Sequence, residues 1–183
     1  MKIELTPLQD CYVIHDTVLK DSRGYFFESF NAKKFQDLTG ITIQFVQDNQ
    51  SLSTYGVLRG LHFQTGQYAQ AKLVRVLHGS VLDVAVDLRK HSASFGKSFI
   101  LELSAENHKQ LYIPRGFAHG FVVTSSTAVF FYKCDNYYNK EAEFGIMYND
   151  PDLQIDWQLP AKDLMLSEKD KKNPYLADIL HLL

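Results

Sequence analysis

The stretch GVLRGLHFQ, residues 56–64, sets an arginine and a histidine three positions apart in a segment with the apolar rhythm of a strand. An imidazole titrates near pH ~6.5, so it can carry protons at neutral pH, bind a metal, or sit as a hydrogen-bonded core residue. Taken alone, a single histidine in an apolar strand reads as the last of these. The neighbours of His62 add weight to chemistry. Arg59 shares its segment, Lys72 opens the next strand-like run, and the polar tract QDNQS at 47–51 just precedes it. Buried strands do not carry so many polar groups unless they line a cavity. Tyr132, beside Lys133 in VFFYKCD, raises the same question, because a phenol facing a cavity can donate a proton.

A metal site on a small β-barrel wants two histidines one residue apart on one strand face, an acid a few residues on, and a later histidine. Phe63 and Gln64 follow His62, so the second histidine of the pair is missing, although IPRGFAHGF supplies a later one, His119. That is too few ligands, and no metal site is expected. The other histidines (His15, His78, His91, His108 and His181) read as structural or surface groups, and Trp157 as packing.

These side chains need a scaffold of short strands. Apolar or alternating runs at 24–30, 41–49, 57–64, 72–89, 97–104, 109–116, 117–125 and 127–135 are punctuated by glycine and polar pairs, the spacing of a β-sandwich or barrel. The run KLVRVLHGSVLDVAVDLR reads as a hairpin turning at Gly79–Ser80. Its second arm alternates, with Val81, Asp83, Ala85 and Asp87 on one face. Those two acids are either a solvated face or, for Asp83, a partner that orients His119. The segment 32–40 has the one clear helical pattern, with Gly40 as its stop, and a short apolar tail closes the chain. The helical patterns that a parallel α/β sheet needs between its strands are absent. The expectation is an all-β domain with a few short helices, mainly near 32–40 and at the C-terminus.

Bulk properties agree. The 183 residues suit one domain, with a net charge of -2 from 19 basic and 21 acidic residues, so no broad basic footprint meets nucleic acid or an anionic membrane. An anionic ligand must be met by a local cluster of arginine and lysine. Cys11 and Cys134 stand far apart and read as a reduced pair. The N-terminus lacks the apolar core of a signal peptide and no apolar run approaches ~20 residues, which points to the cytoplasm.

The segments VQDNQSLSTYGVLRGLHFQ, KLVRVLHGSVLDVAVDLRKHSASFGK, LYIPRGFAHGF, YKCDNYY, NDPDLQIDW and LSEKD together resemble the nucleotide-sugar 3,5-epimerases, in order and from about residue 3 to 175. The resemblance implies a single cupin-like jelly roll over 1–183, with its core at about 40–135 and N-terminal strands and a C-terminal tail packing on it. It implies a homodimer that binds a dTDP-sugar and uses no metal or organic cofactor. It implies epimerisation at C3 and C5 of dTDP-4-dehydro-6-deoxy-D-glucose, in dTDP-L-rhamnose biosynthesis. By position, His62 matches the base, Asp170 the acid that holds it, Tyr132 the proton donor, and Lys72 the cation that stabilises the enolate. Gln47, Asp48, Asn49 and Arg59 match residues around the sugar and diphosphate, and His119, Glu143 and Lys169 further ligand contacts. Tyr138 matches the ring that stacks on thymine, and Arg23 and Glu28 match residues reached from the neighbouring subunit.

The chemistry has its own logic. In a 4-keto sugar, C3 and C5 both lie alpha to the carbonyl, so each loses its proton to form an enolate. Inversion takes a proton from one face of the ring and returns one to the other. A 3-epimerase, a 5-epimerase or a 3,4-ketoisomerase could use the same scaffold, and so could a sugar-nucleotide-binding module without catalysis. The presence of both His62 and Tyr132 favours double epimerisation.

Overall fold

The computed structural model describes residues Met1–Leu183. In chain order the strands are β1 (Lys2–Leu5), β2 (Tyr12–His15), β3 (Leu19–Asp21), β4 (Gly24–Phe26), β5 (Gln47–Thr54), β6 (Leu58–Gln64), β7 (Lys72–His78), β8 (Ser80–Asp87), β9 (Ser98–Ser104), β10 (Lys109–Ile113), β11 (Phe117–Val123), β12 (Thr127–Cys134) and β13 (Glu143–Gly145). Helix α1 (Ala32–Thr39) follows β4 and α2 (Leu176–Ile179) closes the chain. One sheet has the order β1-β2-β10-β7-β12-β5 and the other β13-β6-β11-β8-β9, while β3 and β4 form a hairpin of their own. From β5 onward the chain changes sheet at every step except β8 to β9, which pair side by side. This is a cupin-like jelly roll.

That winding corrects the hairpin expected over 72–89. Strand β7 pairs with β10 and β12, whereas β8 pairs with β11 and β9, so the two arms lie in different sheets. Gly79 makes the corner at φ +72°, where an added Cβ would lie 2.0 Å from the Thr127 carbonyl oxygen. Only glycine fits there. A turn signal between two apolar runs cannot say whether the runs pair with each other or with distant strands.

Three apolar clusters account for the layers. Between the sheets lie Val74, Val76, Leu111, Phe121 and Phe130. The outer face of the six-stranded sheet is covered by α1, whose Phe35 packs on Ile14, Leu73 and Tyr112. The Asn31 side chain caps this helix by accepting from the Lys34 N–H at 3.0 Å, and Gly40 ends it in a left-handed conformation, as its sequence pattern predicts. The outer face of the five-stranded sheet is covered by the C-terminal segment, where Leu153, Trp157, Leu176 and Ile179 meet Leu82, Val84 and Val86. Trp157 is packing, and its indole N–H donates to the Tyr148 carbonyl at 2.8 Å. Both faces of β8 are therefore buried, and the solvated reading of Asp83 and Asp87 is excluded.

Two strand positions differ from expectation. The strand read at 41–49 runs instead over Gln47–Thr54, because Ile41, Ile43 and Phe45 pack beside α1 and join no ladder. The run at 24–30 is a strand only at Gly24–Phe26. No helix of the chain is long and apolar enough to cross a membrane.

Candidate active site

Strands of both sheets enclose a cavity of about 630 Å³, a size suited to a small-molecule ligand, and an irregularity in the β6–β11 pairing lets both Arg59 and His62 face it. Strand β6 places Arg59 and His62 on its wall, and β11 places His119 there, the Cα partner of His62 across the ladder. The facing sheet contributes Lys72 from β7, Tyr132 from β12 and Asn49 from β5. Glu143 on β13 and the segment carrying Lys169 and Asp170 complete the lining.

His62 Nε2 lies 2.5 Å from Asp170 Oδ1, across 108 residues of sequence. A carboxylate only accepts, so Nε2 carries the proton of this bond and the other ring nitrogen is left outside it. Asp170 is 3 % exposed. Burial pushes its carboxyl up, but the hydrogen bond from His62, the attraction of that ring, and Ser167 more than offset this and hold it below the ordinary carboxylate range. The Ser167 hydroxyl oxygen accepts from the Asp170 N–H at 3.0 Å, which sets the 3-10 turn (Asp170–Lys172) that presents the acid.

On the opposite wall, burial pushes the Tyr132 phenol up to about 12, so it remains a proton donor at neutral pH. Lys72 Nζ lies 5.8 Å from the Tyr132 ring centroid. Burial pulls the Lys72 ammonium below the usual lysine range. The Tyr138 hydroxyl donates to Glu143 at 3.0 Å, and Lys169 contacts the same carboxylate. Burial raises the Glu143 carboxyl, and these two partners more than offset it to leave it lowered. His119 Nε2 donates to Asp83 at 2.8 Å. The orienting alternative for Asp83 is thus the one realised.

The structure brings His62, Lys72, Tyr132, Asp170, Asn49, Arg59, His119, Glu143 and Lys169 to one cavity. Tyr138 stands at its rim through Glu143, and Gln47 accepts from the Tyr138 N–H at 3.0 Å while donating to Asn49 at 3.0 Å. Asp48 is not brought in. Strand alternation sends its side chain to the other face of β5 from Asn49, where Lys133 Nζ holds both oxygens at 3.0 Å. Arg23 and Glu28 are also outside the cavity, paired with Asp21 and Lys34 near the β3–β4 hairpin. Sequence reasoning did not name Met165, Leu166 or Ser167, which line the cavity. For Ser167 the signal was the spacing SEKD, a hydroxyl three residues before the N–H it caps. No group of three or more histidine, cysteine, aspartate or glutamate side chains is placed to hold a metal ion.

An imidazole held by a carboxylate on one wall, with a phenol and an ammonium on the other, is an arrangement that can move protons between two faces of one ring. The comparisons agree on which isomerase family this is. The dTDP-4-dehydrorhamnose 3,5-epimerase family model matches residues 5–178. The chain is 49 % identical over 182 residues to the dTDP-4-dehydrorhamnose 3,5-epimerase of Escherichia coli, covering 100 % of this chain and 98 % of that protein. A crystal structure of the enzyme of that name from Elizabethkingia anophelis is 62 % identical with a TM-score of 0.95, covering 97 % of both chains. A crystal structure of dTDP-6-deoxy-D-glucose-3,5-epimerase from Legionella pneumophila, in complex with dTDP-4-keto-L-rhamnose, is 50 % identical with a TM-score of 0.95, covering 100 % of this chain and 96 % of that one. The chain belongs to the dTDP-4-dehydrorhamnose 3,5-epimerase family.

Proposed function

We infer that this cavity is where the chain epimerises C3 and C5 of dTDP-4-dehydro-6-deoxy-D-glucose to give dTDP-4-dehydro-L-rhamnose, in dTDP-L-rhamnose biosynthesis. The observation that carries the residue roles is the opposition of two walls, with His62 and Asp170 on one and Tyr132 and Lys72 on the other. His62 takes the proton from the carbon alpha to the 4-keto group. The C–H pair becomes the C=C bond of an enolate, whose charge gathers on oxygen beside the Lys72 ammonium. A fixed cation aimed at developing charge is usually the largest single contribution to such catalysis. Tyr132 then gives its phenolic proton to the opposite face, which inverts the centre, and both side chains exchange with solvent before the second cycle.

Arg59 and Asn49 bind the sugar and diphosphate, with His119, Glu143 and Lys169 as further contacts and Tyr138 at the thymine. The whole chain acts as one domain in the cytoplasm, as a homodimer. Dimerisation is supported by the β3–β4 region, where Leu19 is 62 % and Phe26 is 70 % exposed. Apolar side chains that bare suit burial against a second copy. Such packing would deliver Arg23 and Glu28 to the neighbouring site.

Incubation with dTDP-4-keto-6-deoxyglucose in D₂O, followed by NMR, tests the activity. Deuterium should enter at both C3 and C5. Entry at C3 alone would make the chain a 3-epimerase, and entry at neither would end the epimerase reading.

A further inference from the structure

We propose that Asp83, one layer beneath the cavity floor, is a positioning residue of the reaction: it fixes His119 with one oxygen and serves Lys72 as its counter-charge with the other. The inference rests on the epimerase reading above. Asp83 is 0 % exposed, and its two oxygens differ in what they meet. Oδ1 accepts from His119 Nε2 at 2.8 Å, whereas Oδ2 is buried with no hydrogen-bond partner. A buried carboxylate oxygen left unpaired is costly unless its charge is compensated nearby.

The compensating charge is Lys72, which has the converse problem. Its Nζ forms no ion pair within 4.0 Å, although the side chain points into the cavity from the facing sheet. The titratable groups facing it are few. From β12 come Tyr132 and Cys134, from β13 Glu143, from β11 His119, from β6 Arg59 and His62, from the C-terminal segment Lys169 and Asp170, and from β8 Asp83. Strand β10 presents only the apolar Leu111 and Ile113. Burial pushes the Cys134 thiol up to about 11 and the Tyr132 phenol to about 12, so both are neutral near pH 7. Glu143 is already engaged by Lys169 and Tyr138, and Asp170 by His62. Asp83 is the anion left to offset the burial of Lys72.

The separation has a purpose. A carboxylate in direct contact with Lys72 would compete with the enolate for the ammonium. One set a layer below keeps the proton on the amine while leaving the N–H groups free for the substrate oxygen.

The test is the pH dependence of kcat/KM with the 4-keto sugar nucleotide. Asp83→Asn keeps the shape and an acceptor for His119 but removes the charge, with Asp83→Ser as a second neutral variant should the first misfold. In the neutral variants the high-pH limb should move down by about one pH unit or more, the size of a nearby opposite charge's effect on a buried group. Asp83→Glu should leave the limb in place. In a Lys72→Arg background, Asp83→Asn should not move the limb, because a guanidinium does not titrate in this range. A loss of rate that is equal at every pH, or a limb shift that survives Lys72→Arg, would overturn the proposal. Deuterium entry in the wild-type protein near neutral pH tests the epimerase reading separately.

Discussion

An imidazole hydrogen-bonded to a buried carboxylate keeps its proton on the bonded nitrogen and offers the lone pair of the other, which is the state a base needs. The pair His62–Asp170 has that form, so each member can be tested by its own signature. His62→Ala should lower deuterium exchange at C3 and C5 by about 10²-fold or more, the usual span of a general base. Retention of wild-type exchange would assign the base elsewhere. Tyr132→Phe removes the phenolic hydroxyl with its proton and keeps the ring, so NMR should show inversion impaired more than exchange. Equal losses would count against the opposite-face donor. Lys72→Met should cost about 10²–10³ in kcat, as the loss of one oxyanion partner does. Asp170 also links the site to stability. Its carboxyl is held below the ordinary value of 3.8, so the ionised form is the one the fold favours. Its contribution is present above the unfolded value of about 3.9 and is lost as pH falls through the lower native value. Urea titrations should therefore show Asp170→Asn less stable than wild type at neutral pH, with the gap closing towards about pH 3.

Among elements, the corner between β7 and β8 and the C-terminal segment decide how the walls face each other. At Gly79, an alanine Cβ would meet the Thr127 carbonyl oxygen at 2.0 Å in a left-handed backbone. Gly79→Ala should cost about 2 kcal/mol or more, read as a fall in Tm of about 4 °C or more. An unchanged Tm would mean that the corner can relax. Leu176 and Ile179 anchor the segment that carries Asp170, through the apolar cluster on the outer face of the five-stranded sheet. Strand alternation was legible in the sequence because its period is two: Phe130 and Tyr132 point inward and Phe131 and Lys133 outward, as VFFYKCD requires. Helix α1 was legible too, through Gly40 and its apolar spacing. The partner of each strand was not. Pairing in a jelly roll joins segments far apart in the chain, and a local turn signal such as Gly79–Ser80 carries no information about it.

At the scale of the whole molecule, the proposed homodimer can be tested through Arg23 and Glu28. Both lie outside the cavity of their own chain. If they complete a neighbour's site, then mixing His62→Ala with Arg23→Ala protein should rebuild one intact site in each mixed dimer. Activity should return to roughly a quarter of wild type, since half the dimers are mixed and each has one good site of two. No recovery after demonstrated subunit exchange would leave each site within one chain.

By itself the sequence determined the β architecture, the helix at α1 and the chemical types present, because period-two patterning, caps and side-chain chemistry are local properties. A resemblance carried by several ordered motifs added expected roles for Asp170 and Lys72. Only the tertiary structure decided that Asp170 meets His62, that Asp83 lies buried under His119, and that Asp48 faces away from the cavity. Those outcomes depend on which strands the chain sets side by side and on which face of a sheet each residue falls. The free energy that settles them is the burial of three apolar layers, a property of the folded chain as a whole.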